Sequence, residues 1–169
     1  MIPGNAIKEL LQHNTLIASL CGDRIFPKIR PQNQNELPAI VYALITNEPT
    51  NVKNGPSTLD TLTYQFSMFA DQSKYDDLVR LREALRFTLE RISLTIAGIQ
   101  VQSVALSQQR DFYEEDARLH HFADDYRFRI IRNPADQESI SAYQYLQRVQ
   151  NDGGEVADFN AVKSSTLNN

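Results

Sequence analysis

Between Thr61 and Ala70 the chain reads TLTYQFSMFA, with Leu62, Tyr64, Phe66, Met68 and Ala70 on one side of a two-residue period. Thr61, Thr63, Gln65 and Ser67 occupy the other side. Side chains alternate across a strand, so this stretch is an extended segment with one face on a core and one polar face. Phe122 to Ile131 repeats the pattern, setting Phe122, Tyr126, Phe128 and Ile130 against Ala123, Asp125, Arg127 and Arg129. Two such strands need a partner layer for their apolar faces, and a helix is the economical one.

The candidates for that layer lie on either side of the first strand. Asn5 to Leu20 carries Ala6, Ile7, Leu10, Leu11, Leu16, Ile17 and Leu20 at helical spacing. Asn5 is its expected N-cap, a break is possible at Asn14-Thr15, and Gly22 is its stop. After Asp71 a second helix is expected, with Ser73 as cap, Asp76 and Asp77 in its first turn, and a buried stripe of Leu78, Leu81, Leu85, Leu89 and Ile92. Arg24 to Lys28 is a short extended piece that Pro27 confines to an edge, followed by a polar loop over 32–36. Pro38 to Thr46 is a strand apolar on both faces, which implies two-sided burial or a subunit interface. EPTNVKNGPST, Glu48 to Thr58, holds two prolines and Asn-Gly and is expected to be a long functional loop that includes Asn51, Lys53 and Asn54. Ile99 to Ser107 is a further strand. Among the arginines of the central helix, Arg80, Arg82, Arg86 and Arg91, the interleaved Glu83 and Glu90 indicate a solvated face. The expected fold is therefore α+β: a mainly antiparallel sheet with an N-terminal and a central helix on one face. The domain is expected to span 1–132. A C-terminal extension, 133–169, follows with one amphipathic helix from Asp136 to Gln150 and a frayed end.

Composition excludes several classes of function. A net charge of -4 over 169 residues leaves no global basic footprint for nucleic acid or an anionic membrane, although Lys28 and Arg30 stand close together. One cysteine, Cys21, permits no internal disulfide and reads as structural. There is no apolar run of membrane-spanning length, and no secretion signal is expected. Phosphate loops, GxSxG, HExxH and CxxC are all missing from the sequence.

The chemically richest stretch is QRDFYEEDARLHHFADDYRF, Gln109 to Phe128, where Asp111, Glu114, Glu115, Asp116, Asp124 and Asp125 accompany His120 and His121. Metal ligands must converge on one point. On a strand His120 and His121 face opposite ways, as do Asp124 and Asp125, so they are not neighbouring ligands. DFYEED also lacks the glycine and the spacing of a calcium loop. No cofactor, metal or catalytic residue is assigned. The expected role of Asp111, Tyr113, Glu114, Glu115 and Asp116 is a recognised turn at an interface. For Asp111 and Tyr113 a structural alternative is open, the carboxylate capping the turn and the phenol packing under it. A small metal-dependent enzyme using the Asp/Glu/His cluster remains the competing class.

Three stretches in fixed order carry a resemblance: Gly22-Asp-Arg-Ile-Phe-Pro27, Leu37-Pro-Ala-Ile-Val-Tyr42, and Arg110-Asp-Phe-Tyr-Glu-Glu-Asp116 with Tyr126-Arg-Phe-Arg-Ile130. Over roughly residues 4 to 132 the chain resembles the tail-completion, or tail terminator, proteins of long-tailed bacteriophages. Phe26, Ala39 and His120-His121 depart from that family's pattern. The resemblance implies a structural virion protein, assembled in the host cytoplasm and located at the head-proximal end of the tail. It implies a homo-oligomeric ring, usually a hexamer, that caps the tail tube, stops its growth and joins it to a neck or head-completion protein; the alternative within virion assembly is another neck or head-completion structural protein of similar fold. Genome DNA would pass through the ring without sequence-specific binding; no membrane is involved.

Overall fold

A computed structural model describes residue 2 and residues 4–52, 55–90 and 92–131; at Gly4 and at 51, 52 and 55–57 it describes the backbone alone. The elements are α1 (Gly4–Gln12), α2 (Thr15–Cys21), β1 (Ile25–Pro27), β2 (Ala39–Val52), β3 (Gly55–Asp71), a 3-10 turn (Gln72–Lys74), α3 (Tyr75–Leu89), β4 (Leu94–Ile96), β5 (Ile99–Glu114) and β6 (Leu119–Ile131). Among the described residues the strands form one six-stranded sheet in the order β1-β2-β3-β6-β5-β4. Only β1–β2 is parallel; β2–β3, β3–β6, β5–β6 and β4–β5 are antiparallel. The fold is α+β, as its alternating strands require.

The core lies between the sheet and the helices. Leu62, Tyr64, Phe66, Met68 and Ala70 of β3 and Phe122, Tyr126, Phe128 and Ile130 of β6 are buried there, against Leu78, Leu81, Leu85 and Leu89 of α3. Edge-to-face rings add to the apolar burial: Tyr64 on Phe128 with centroids 5.3 Å apart, and Phe66 on Tyr126 at 5.6 Å. The N-terminal helix does break near Asn14. That side chain caps α2 by accepting from the Leu16 amide at 3.0 Å and the Ile17 amide at 3.2 Å, and its Nδ2 donates to Thr88 Oγ1 at 2.8 Å. One residue thus starts α2 and ties it to α3. Gly22 ends α2 with φ +54, a conformation that costs glycine least, and its amide reaches the Ala18 carbonyl at 2.8 Å.

Three local expectations are corrected. Asn5 lies inside α1, which begins at Gly4, so it is no N-cap. Ser73 lies in the 3-10 turn, and α3 begins after Lys74 without a side-chain cap. The expected loop from Glu48 to Thr58 is largely strand: β2 runs to Val52, β3 starts at Gly55, and Val52 pairs with Gly55. Its prolines are accommodated because each lies where its strand has a free side. Pro49 is in β2 beyond the reach of β1, and Pro56 is in β3 before pairing with β6 begins at Leu59. Irregularities between Leu44 and Thr46 and between Pro49 and Asn51 bend the long arm. Lys53, Asn54 and the C-terminal extension from 133 lie outside the described residues, and of Asn51 only the strand backbone is described. No described helix is long and apolar enough to cross a membrane.

Candidate functional site

The acidic stretch is not mainly a turn. Asp111, Tyr113 and Glu114 belong to β5, Glu115 to Arg118 make the turn, and β6 returns from Leu119. The two faces of this hairpin carry different chemistry, as the two-residue period demands.

On the helix-facing side Asp111 pairs with Phe122 and Gln109 with Asp124 across the ladder. Arg82, reaching from α3, makes ion pairs with Asp111 and, at 2.9 Å, with the fully buried Asp124. Its guanidinium lies 3.8 Å from the Phe122 ring centroid and donates at 3.0 Å to the Arg110 carbonyl. Gln109 donates to Asp124 Oδ2 at 3.1 Å. Burial pushes the Asp124 carboxyl above its ordinary value, opposed by the Gln109 hydrogen bond and the Arg82 charge. Two expectations fail here. Arg82 is not on a solvated face, since only 13% of its side chain is exposed. Asp111 does not cap a turn; it completes a clamp that locks the hairpin to α3. Arg80 and Arg86 do follow the solvated reading, paired with Asp77 and Glu90.

On the opposite face His121 lies between Phe69, at 4.4 Å between centroids, and Phe112, at 5.4 Å, with Nδ1 3.1 Å from Glu114. Burial lowers its pKa, against the pull of Glu114. Arg110 grips Asp125 through both carboxylate oxygens, at 2.9 and 2.8 Å, and Gln65 adds a third bond. His120 points the other way, into Tyr75 and Tyr113. The two imidazoles and the two aspartates are therefore separated by the sheet, as strand geometry requires. Among the described residues no group of three or more His, Cys, Asp or Glu could hold a metal ion.

Exposed at this end are apolar and acidic side chains, with one cation, Arg118, in the turn. Phe112 is 47% exposed and Tyr113 43%, next to Glu114, Glu115 and Asp116. The sheet borders are open as well. β1 covers β2 only at 40–42 and β4 covers β5 only at 99–101, so 43–52 and 102–114 have no strand on their outer side among the described residues. Ile45, on the first of these, is 53% exposed. The two-sided apolarity of β2 thus serves a helix-covered face with Ile40 and Tyr42, and leaves half-buried Val41 and Ala43 on the other. Strand edges left unpaired template association with another chain. Residue type alone did not mark Arg82 apart from Arg80 and Arg86. The signal lay in the helical period, which puts residue 82 four positions after the buried Leu78.

The described residues thus present a helix-backed sheet with open borders and an exposed aromatic, largely acidic end. Comparison places it. The chain belongs to the tail completion protein gp17 family, whose model matches residues 5–131. It is a structural protein of a phage-type tail. Its fold is similar to a chain from the virion of a native gene transfer agent particle, at 14% identity and a TM-score of 0.63, covering 77% of this chain and 95% of that one. A second solved chain, 10% identical, aligns over 79% of this chain and 99% of that one with a TM-score of 0.45. No curated protein matches the chain.

Proposed function

We propose that the protein is a tail terminator: a ring, hexameric by its family resemblance, that caps the tail tube, halts its polymerisation and joins the tail to the head through the neck. The observation that carries this reading is the pair of unlike open borders on one sheet. β2, β3, β6 and β5 alternate in direction, so the free edges of β2 and β5 run antiparallel to each other. A second copy set beside the first by rotation about an axis along the strands continues the antiparallel alternation, and such head-to-tail contacts close into rings. The hairpin end with Tyr113, Glu114, Glu115 and Asp116, and the segment that carries Asn51, Lys53 and Asn54, are its contacts with neighbours, the tail tube protein and the neck protein. The family match over residues 5–131 and the virion origin of the structural neighbour support the setting. Genome DNA passes through the opening without sequence readout.

The test is to locate a tagged copy on purified particles by gold labelling. Label at the head–tail junction is expected, and particles made without the protein should show overgrown, unjoined tubes. Label elsewhere, or unlabelled particles, would refute the terminator role.

A further inference from the structure

The face of the sheet turned away from the helices carries a cationic band. Alternation puts Thr61 and Thr63 of β3 on it, with Arg127 and Arg129 of β6 and Ser103 and Ala105 of β5. Both arginines are exposed, and neither has an ion-pair partner among the described residues. Two residues apart on one strand, their backbones are separated by about 7 Å. Arg127 pairs across the ladder with Thr63 on one side and Ala105 on the other, and Arg129 with Thr61 and Ser103. Short side chains thus flank both guanidinium groups and leave them free to rise above the sheet.

The remaining charges of this face lie elsewhere or are matched. Glu48 of β2, paired with Thr61, is the one carboxylate in either row among the described residues, and its backbone is two strands, about 10 Å, from that of Arg129. In the next row toward the hairpin Arg110 holds Asp125, and farther on Glu114 lies against His121. Asp71 ends β3 opposite Leu119, and Glu115, Asp116 and Arg118 lie past it in the turn. The free cations therefore occupy the end of the face away from the acidic turn.

A sheet closed into a ring through its edges has an inner and a longer outer circumference. A helix layer about 10 Å thick fits on the outer one and would crowd its copies around the axis on the inner one. We propose that the helix-free face lines the opening of the ring, and that Arg127 and Arg129 contact the phosphate backbone of double-stranded DNA there; this rests on the ring reading above. Phosphate contacts carry no sequence information. The rows that hold the arginines have no apolar side chain larger than alanine, so they suit a charged, hydrated partner better than a protein surface. Two contacts per copy are few enough for the duplex to slide.

The test is fluorescence anisotropy of a short labelled duplex with the full-length protein. Affinity should fall at least about tenfold between 50 and 200 mM salt, the counterion release of two phosphates, and should not depend on the duplex sequence. R127Q/R129Q should melt like the parent and lose both the binding and its salt response. E48Q should bind more tightly than the parent. R80Q, which removes one exposed charge from the helix side, should stay within about twofold of it, whereas R127Q alone should not. A parent that does not bind at 50 mM salt, a double variant that binds like the parent, or an R80Q loss equal to that of R127Q overturns the proposal. The measurement needs no ring. Arginine-dependent binding with unlabelled head–tail junctions would keep the DNA-contacting face and refute the ring; labelled junctions without arginine-dependent binding would do the reverse.

Discussion

Replacing Arg82 by alanine tests the clamp between α3 and the β5–β6 hairpin. The substitution leaves Asp124, fully buried, with only the Gln109 hydrogen bond for compensation. Breaking a buried pair from one side costs about 3–5 kcal/mol, because an uncompensated charge stays inside. At about 2–4 °C per kcal/mol for a chain of this size, R82A should melt roughly 6–20 °C below the parent. D111A removes a partner that is 55% exposed and should cost under about 1 kcal/mol. Replacing both buried partners by apolar residues, R82M/D124L, should recover most of the R82A loss. The pH dependence fixes the cause. Asp124 has its folded pKa above the ordinary carboxylate value, chiefly through burial. Its unfavourable burial is absent below the unfolded pKa, and stability is lost as pH rises through the folded pKa. Removing Arg82 raises that folded pKa further, so the R82A deficit should shrink as pH falls from 7 toward about 4. Thermal melts across that range are the assay. A deficit that is small, or that does not change with pH, would refute the assignment of a buried charge at this position.

His121 should act with the opposite sign. Burial between Phe69 and Phe112 lowers its folded pKa, so the stability it contributes is present above its unfolded value of about 6.5 and lost as pH falls through the folded pKa; H121F should flatten the acid side of a Tm–pH curve. Asn14→Ala removes the α2 cap and the link to Thr88 and should cost about 1–2 kcal/mol, read by denaturant unfolding. Asn14→Asp keeps the cap acceptor and loses the donor to Thr88, so it should fall between the alanine variant and the parent. Cys21, whose thiol burial pushes up to about 12, should stay unlabelled by alkylating reagent until the protein unfolds. Labelling at the rate of a free thiol would mean that α2 is not packed as described.

How far the sequence could be read depended on whether the signal was periodic. β3 and β6 were legible because their core faces, Leu62 to Ala70 and Phe122 to Ile130, repeat every second residue, and packing obeys the same period. The β2–β3 arm was not, since Pro49 and Pro56 are turn signals wherever both sides of a strand are paired. They lose that meaning on strands with a free side, and which side is free is a property of the whole sheet order. The same limit hid the clamp. Asp111, Asp124 and Arg82 stand in three separate elements, and only the ladder pairing of Asp111 with Phe122 and of Gln109 with Asp124 brings them under α3. Alternation did predict that His120 and His121 would part, and that one result removes the most tempting metal site. The acidic run is thereby divided by physics into two jobs. Asp111 and Asp124 are held by Arg82 and fix the hairpin on the helix, while Glu115 and Asp116, beyond the last ladder pair of Glu114 with Leu119, stay exposed to solvent.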